Sequence, residues 1–451
     1  MNSPSARASR RLHIMLPTLG SSGDVHPFVA LGKAMKQRGH RVTVLTNPLF
    51  QPLIESQGLE FLPLGKLDQA QVAIGNPDVW HLRKGFAIIA GVIVPAIAET
   101  FRHIERHADA DTVVAFSTLA FGGRVAQEKL GVPSASVHLQ PSVIRTYADQ
   151  GMLGNVRLSA AHPRWMKQLL FSLVDGLVLD RNLKEPLNRF RATLGLTPVS
   201  HVMDRWMNSP QLVLAMFPEW FAAPQPDWPA NTHAVGFAQF DDGAGASTST
   251  SASTVASIGA SGNANLQQAE EFLAAGAPPI VVTPGSAGST MQRFFRESIE
   301  AISRIGARAM LVTNFPEQVP RRLPAGIEVF GYLPFSRLLP RSAMMVYHGG
   351  IGTLAQGIRA GVPHLVVPHG YDQFDSGWRI EQLGLGHSVS ENRYRAEQVA
   401  PVMRQMLEDA ALAQRCRQFA DRVDSAAALE RACVLLESIA TLGTGARVGG
   451  G

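Results

Sequence analysis

The chain has 451 residues, 45% of them hydrophobic and 17% charged, which allows two domains with cores of their own and excludes disorder throughout. Its formal net charge of +5 is spread without a basic stripe or interleaved aromatics, so nothing points to nucleic acid. The two cysteines, Cys416 and Cys433, form neither a disulfide framework nor a metal-ligand spacing, and suit a reducing cytoplasm.

Residues 1–11 are polar and basic and lead straight into a strand expected at 12–17, with no apolar signal-peptide core ahead of it. The turn that follows, Gly20-Ser21-Ser22-Gly23-Asp24-Val25-His26-Pro27, lets the backbone approach a ligand closely, and Pro27 suits the first turn of a helix. It lacks the third glycine of the dinucleotide fingerprint, and Asp24 would repel a pyrophosphate there. Asp24 has two readings: a helix cap, or a general base facing an uncharged hydroxyl. His26 is either a surface residue at the helix start or a wall of a binding cleft. Further strands are expected at 41–46, 111–116, 134–139 and 211–216. Of the residues beside them, His138 reads as a satisfied core histidine or a cleft residue, and Phe28 and Phe86 as apolar contacts for an acceptor.

The most hydrophobic segment, 86–98, is shorter than the roughly 20 residues a bilayer span takes, is interrupted by Pro95, and reads as a buried helix or a pocket wall. Asp109-Ala110-Asp111 spells the Asp-x-Asp of metal-dependent sugar transferases, but it precedes a strand and reads as a solvated turn. No His, Cys, Asp and Glu spacing suggests a metal site, and Gly-x-Ser-x-Gly is absent, which leaves a serine hydrolase unsupported. Residues 242–266 are dominated by Gly, Ala, Ser and Thr and read as a flexible linker between a domain at 1–241 and one at 267–451.

In the second half, strands are expected at 279–283, 307–313, 328–332, 344–347 and 364–367. Alternation of strands with helical patterns predicts an α/β chain of two doubly wound parallel-sheet domains facing across a cleft. Thr283-Pro284-Gly285-Ser286 offers donors to a phosphate, and Tyr332-Leu333 can seat a nucleobase at a strand end. Tyr347-His348-Gly349-Gly350-Ile351-Gly352-Thr353 joins a strand to a helix through small residues and an imidazole, the chemistry that holds a diphosphate. Asp372-Gln373, after the next strand, can grip sugar hydroxyls. The pattern at 410–441 is helical and suits a segment packing back across the joint.

Taken in order, these pieces, with Gly236-Phe237 and Ala360-Gly-Val-Pro363, resemble the inverting glycosyltransferases of the GT-B fold, which use nucleotide-diphosphate sugars. The resemblance covers nearly the whole chain. It implies that His348, Gly349, Gly350, Gly352 and Thr353 contact the donor diphosphate, that Asp372 and Gln373 hold the sugar, and that Asp24 is the base. Ser21, Ser22, Gly23, Thr283, Gly285, Ser286, Tyr332, Leu333 and Gln356 complete the expected donor site; no cofactor or metal is expected. Plant members have histidine at the position of Asp24 and glutamate at that of Gln356, so their histidine–aspartate relay does not carry over, and the neutral amide suits a deoxyribose.

Within that family the segments Trp206-Met-Asn-Ser-Pro210, Gln225-Pro-Asp-Trp-Pro229 and Asp372-Gln-Phe-Asp375 are similar to the rhamnosyltransferases of rhamnolipid synthesis. That likeness implies a dTDP-L-rhamnose donor and a hydroxy-lipid acceptor, with the apolar runs 86–98 and 169–179 compatible with a lipid groove, in a cytoplasmic enzyme peripheral to the membrane. A sterol or natural-product glucosyltransferase, a nucleotide-sugar epimerase and a non-enzymatic activator are the rival readings.

Overall fold

A computed structural model describes residues 10–67, 78, 84–240, 258–285 and 291–445. In the first half run β1 (His13–Pro17), β2 (Arg41–Thr46), β3 (Glu60–Pro63), β4 (Thr112–Ser117), β5 (Ser134–His138), a short antiparallel hairpin of β6 (Gly151–Leu153) and β7 (Val156–Leu158), then β8 (Leu212–Ala215) and β9 (Thr232–Ala234). The second half has β10 (Ile280–Thr283), β11 (Ala309–Val312), β12 (Ile327–Phe330), β13 (Met344–Tyr347), β14 (His364–Val366) and β15 (Gly386–Ser388).

The strands outside the hairpin assemble into two parallel sheets, ordered β3-β2-β1-β4-β5-β8-β9 and β12-β11-β10-β13-β14-β15. Each order turns back on itself beside its first strand, the doubly wound pattern. Helices cover both faces, which is why β1, β4, β10 and β13 are buried at every residue and β10 and β13 are unbroken apolar or β-branched runs. The ten strands expected from sequence all form. Those not foreseen are short or lie at sheet edges: β3, for example, is exposed or half-buried along its length and carries no buried apolar run.

Helix α1 (Ser22–Gln37) follows β1, and α2 (Lys84–His107) precedes β4. α2 corrects one expectation: Pro95 does not end it, and its 24 residues are long and apolar enough to cross a membrane by length and composition. Here Phe86, Ala90, Ile93, Ile97, Phe101 and Ile104 recur at helical spacing and pack into the core of the first lobe. Helix α3 (Arg164–Val174) follows the hairpin and runs into a wider helical turn, Asp175–Lys184. It also corrects an expectation: Trp165, Leu169, Leu173 and Leu177 point outward, between 50% and 72% exposed, and none of them borders the cleft.

Of the expected linker 242–266, residues 242–257 lie outside those described, and α4 (Ile258–Ala274) occupies the rest. In the second lobe α5 (Ile351–Ala360) follows β13 and α6 (Gln373–Gln382) follows β14. The last helix, α7 (Ser425–Gly445), packs back on the first lobe against α1, β4 and β8. Arg38 binds Glu437 through two bonds of 2.7 Å and Glu430 at 2.8 Å, and His40 meets Glu437 at 2.8 Å. Leu436 and Ile439 share one core with Phe28 and Leu31.

Candidate active site

The carboxyl ends of both sheets face one cavity of roughly 600 Å³ between the lobes. Position at the strand ends follows from the winding, because the crevice opens where strand order reverses. On one side the turn after β1 presents Ser21, Ser22, Gly23, Asp24 and His26; on the other the turn after β13 presents His348, Gly350, Gly352 and Thr353. Helices α1 and α5 therefore meet end to end: a Cβ built on Gly352 would lie 3.4 Å from Gly23 Cα. Both ends carry the partial positive charge and unpaired N–H groups of helix N-termini, an arrangement that suits an anion held between them.

Asp24 does cap α1. Its Oδ2 accepts from Ser21 N at 2.9 Å and from Ser21 Oγ at 3.2 Å. Gly20, at φ +135°, leaves that carboxylate its space, since a Cβ there would overlap Asp24. The cap reading and the base reading are compatible, because the residue also borders the cavity. Burial raises the Asp24 pKa, and bonds from Ser21 and Gln140 oppose the rise. A carboxylate made more basic by burial, yet held in one rotamer, is suited to taking a proton.

His348 is packed between Gly285 (φ +82°) and Gly350, and a Cβ on either would overlap its ring. Burial first, then the neighbouring His369, lowers its pKa to about 3, so the imidazole is neutral. Among the described residues its Nδ1 has no hydrogen-bond partner. Gly349 stands behind the cavity, at φ +95°, where its missing side chain lets the β13 turn close on Val366 and on the Gln373 carbonyl.

Asp372, Gln373 and Gln356 border the same cavity. Burial first, and then the charge of Asp24 across the cleft, pushes the Asp372 carboxyl up to about 7. Gln373 Oε1 accepts from His369 N at 2.8 Å and Gly370 N at 3.2 Å, so its carbonyl oxygen shapes the loop while its amide nitrogen is the end available to hydroxyls. Tyr371 precedes the pair at φ +54° and 39% exposed, the left-handed conformation a tyrosine seldom adopts.

Thr283, Gly285, Tyr332 and Leu333 line the second-lobe end of the cleft. Thr283 Oγ1 accepts from Gly285 N at 3.3 Å. Asn265, on α4, pairs with the backbone at Gly331 N and Tyr332 O, both at 3.0 Å. The helix that replaces part of the expected linker thus fixes the turn after β12. Ser286 lies outside the described residues.

The acceptor candidates divide. Phe86 borders the cavity with Ile89 and Ile93, making an apolar wall from α2. His26 also borders it; burial lowers its pKa to about 4, and among the described residues its Nε2 has no partner. Phe28 is corrected: one turn past Asp24 it faces the sheet, fully buried in the core. For His138 the core-histidine reading holds and the acceptor contact is corrected: its ring is fully buried, bonded to Thr118 Oγ1 at 2.8 Å and Asn208 Oδ1 at 2.9 Å, and does not itself border the cavity. Sequence reasoning passed over Ser117, Gln140 and Thr313, which also border the cavity. Their signal was positional, since each lies at or just beyond the carboxyl end of a central strand. Asp109-Ala110-Asp111 sits at the amino end of β4, as expected of a turn. Among the described residues no group of three His, Cys, Asp or Glu could hold a metal ion.

Two α/β lobes of this winding, facing across a cleft, form the GT-B fold, and the glycosyltransferase family models that match both halves make the chain a glycosyltransferase of that fold. Residues 14–147 match the glycosyltransferase family 28 N-terminal domain, and residues 299–431 match the erythromycin biosynthesis protein CIII-like C-terminal domain. Over 97% of this chain and all of the relative, it is 29% identical to O-mycaminosyltylonolide 6-deoxyallosyltransferase of Streptomyces fradiae. It is 26% identical to a sterol 3-beta-glucosyltransferase of Arabidopsis thaliana over 85% of this chain, but spans only 60% of that relative's length. Among solved structures, the kitacinnamycin glycosyltransferase superposes with a TM-score of 0.68 at 18% identity, covering 96% of this chain and 99% of its own. VinC in complex with dTDP gives 0.64 at 18% identity, covering 95% and 100%. The spinosyn rhamnosyltransferase gives 0.62 at 18%, covering 94% and 99%.

Proposed function

We propose that this chain is an inverting rhamnosyltransferase that moves L-rhamnose from dTDP-L-rhamnose to the hydroxyl of a 3-(3-hydroxyalkanoyloxy)alkanoic acid, giving a mono-rhamnolipid. The observation that carries the reading is one cavity shared by Asp24, His348, the N-terminus of α5, Asp372 and the apolar wall of α2. The diphosphate lies over Gly352 and Thr353, where helix N–H groups and the neutral His348 stabilise the charge that develops as the sugar–phosphate bond breaks. Asp24 takes the proton from the acceptor hydroxyl as its oxygen attacks the anomeric carbon. One displacement inverts that centre, and the nucleoside diphosphate leaves with the bonding electrons. These fixed dipoles take the place of a divalent ion, so the reaction is metal-independent.

A 6-deoxy sugar acts as the donor group in the name of the Streptomyces relative, and VinC was solved with dTDP; both support a dTDP-deoxysugar here. The apolar wall of Phe86, Ile89 and Ile93 supports an aliphatic acceptor. The outward row of Trp165, Leu169, Leu173 and Leu177 supports an enzyme that rests against the cytoplasmic face of a membrane. A second reading, glucose transfer from UDP-glucose to a sterol, is favoured by the sterol glucosyltransferase relatives. The purified chain, given equal dTDP-rhamnose and UDP-glucose with a hydroxyalkanoyl acceptor and a sterol, decides by mass spectrometry. Rhamnosylated lipid supports the first reading; glucosylated sterol alone overturns it in favour of the second.

A further inference from the structure

Hairpin β6–β7 belongs by sequence and anchorage to the first lobe, yet its strand β6 rests on the second. Gln150 ties it to the cleft wall, bonding Ser142 O at 3.0 Å through Nε2 and accepting from Thr146 N at 2.8 Å. From there Met152 N donates to Asp375 Oδ1 at 3.0 Å, across the lobes. Asp375 is 2% exposed, pairs with Arg379 at 2.7 Å, and stands on the first turn of α6, whose start presents Asp372 and Gln373. Arg379 also donates to Phe221 O of the first lobe at 2.9 Å. Gly151, at φ +83°, lets the hairpin come this close, since a Cβ would overlap Asp375 Oδ1. Arg157, on β7, closes the contact from outside, stacking 4.2 Å from the Trp378 ring while bonding Asp149 and the Gly151 carbonyl.

A buried carboxylate shared between two lobes costs free energy unless it is fully bonded, so the contact is all-or-none and does not slide. The diphosphate seat on the second lobe, at Gly352, Thr353 and His348, is not touched by the hairpin, whose contacts fall on Asp375 and Trp378 of α6. We propose that the hairpin is a latch: docked on Asp375, it sets the position of Asp372 and Gln373, so that the grip on the transferred sugar forms only when the acceptor lobe is closed on α6. Asp375, Gly151 and Arg157 are positioning residues, touching neither substrate nor reacting atoms. The inference rests on the reading that Asp372 and Gln373 hold the sugar of a nucleotide donor.

The test compares two ligands by calorimetry, dTDP and dTDP-L-rhamnose, on wild type and the variants Gly151→Ala, Asp375→Asn and Arg157→Ala. Loss of one charge-assisted bond or its positioning costs about tenfold in affinity. Each variant is therefore expected to bind dTDP within about twofold of wild type, while dTDP-rhamnose weakens about tenfold for Gly151→Ala and Asp375→Asn and less for the solvent-facing Arg157→Ala. Arg157→Ala leaves the buried carboxylate intact and keeps the test valid should the other two fold poorly. Equal loss for both ligands, or for neither, overturns the latch. A wild type that binds dTDP but gains nothing specific from any sugar refutes the donor reading instead.

Discussion

Replacing Asp372 by Asn should raise stability while abolishing sugar transfer, and the pH dependence of the gain can be worked out. The Asp372 carboxyl is pushed from 3.8 up to about 7 by burial and by facing Asp24. Between those values the folded chain holds a proton that the unfolded chain releases, so the free energy of unfolding falls as pH rises through the window and is level above it. At about 1.4 kcal/mol per pH unit the window carries at most about 4 kcal/mol, and water entering the cleft reduces the expected size to about 1–2 kcal/mol. Asparagine has the same shape and no charge, so the variant escapes the loss. Denaturant titrations should show the two proteins equal near pH 4 and the variant more stable at pH 8. A variant less stable at pH 8, or a difference that ignores pH, would refute the account of Asp372 as a carboxylate kept charged for its ligand at the expense of the fold.

Asp24→Asn is expected to bind dTDP-rhamnose normally and to turn over at least about 100-fold more slowly, measured by product formation under saturating donor. A near-normal rate would leave Asp24 as a cap alone. At Gly350, φ is −62°, so alanine is tolerated by the backbone, but its Cβ overlaps the His348 ring; Gly350→Ala should lower the melting temperature modestly and lose about tenfold or more in dTDP affinity by calorimetry at a temperature where it stays folded. Ile89→Ala removes three carbons from the cleft wall, worth about 2 kcal/mol, so KM for a hydroxyalkanoyl acceptor should rise about 30-fold with donor KM unchanged. Transfer measured after exhaustive EDTA treatment should match the untreated rate; loss restored by Mg²⁺ would remove the claim that helix dipoles and His348 replace a cation.

Strands with continuous buried runs, such as 344–347, were legible from sequence because helices on both faces demand unbroken apolar residues. The glycine-rich turns were legible for a related reason: a histidine flanked by glycines marks backbone that must make room for something. What stayed hidden depended on which way a side chain turned. Phe28 and Asp24 are four residues apart on α1, yet one faces the sheet and the other the cleft. Leu169–Leu179 looked like groove lining because composition records apolar content without direction. The hairpin contact to Asp375 was invisible, since Met152 contributes only its backbone N–H and any residue but proline has one. Asn265 was lost inside a stretch read as linker, whose small polar residues gave no hint that a helix resumes at Ile258.

The return of α7 to the first lobe has a consequence for biosynthesis. Phe28 and Leu31 share their core with Leu436 and Ile439, so a ribosome that has finished the first lobe has not yet made the residues that shield part of its surface. The early lobe must wait, greasy side uncovered, through synthesis of the whole second lobe, a stage at which exposed apolar surface invites aggregation. Expression of the first lobe alone should therefore give insoluble protein, and supplying the missing helix as a separate peptide is the natural rescue.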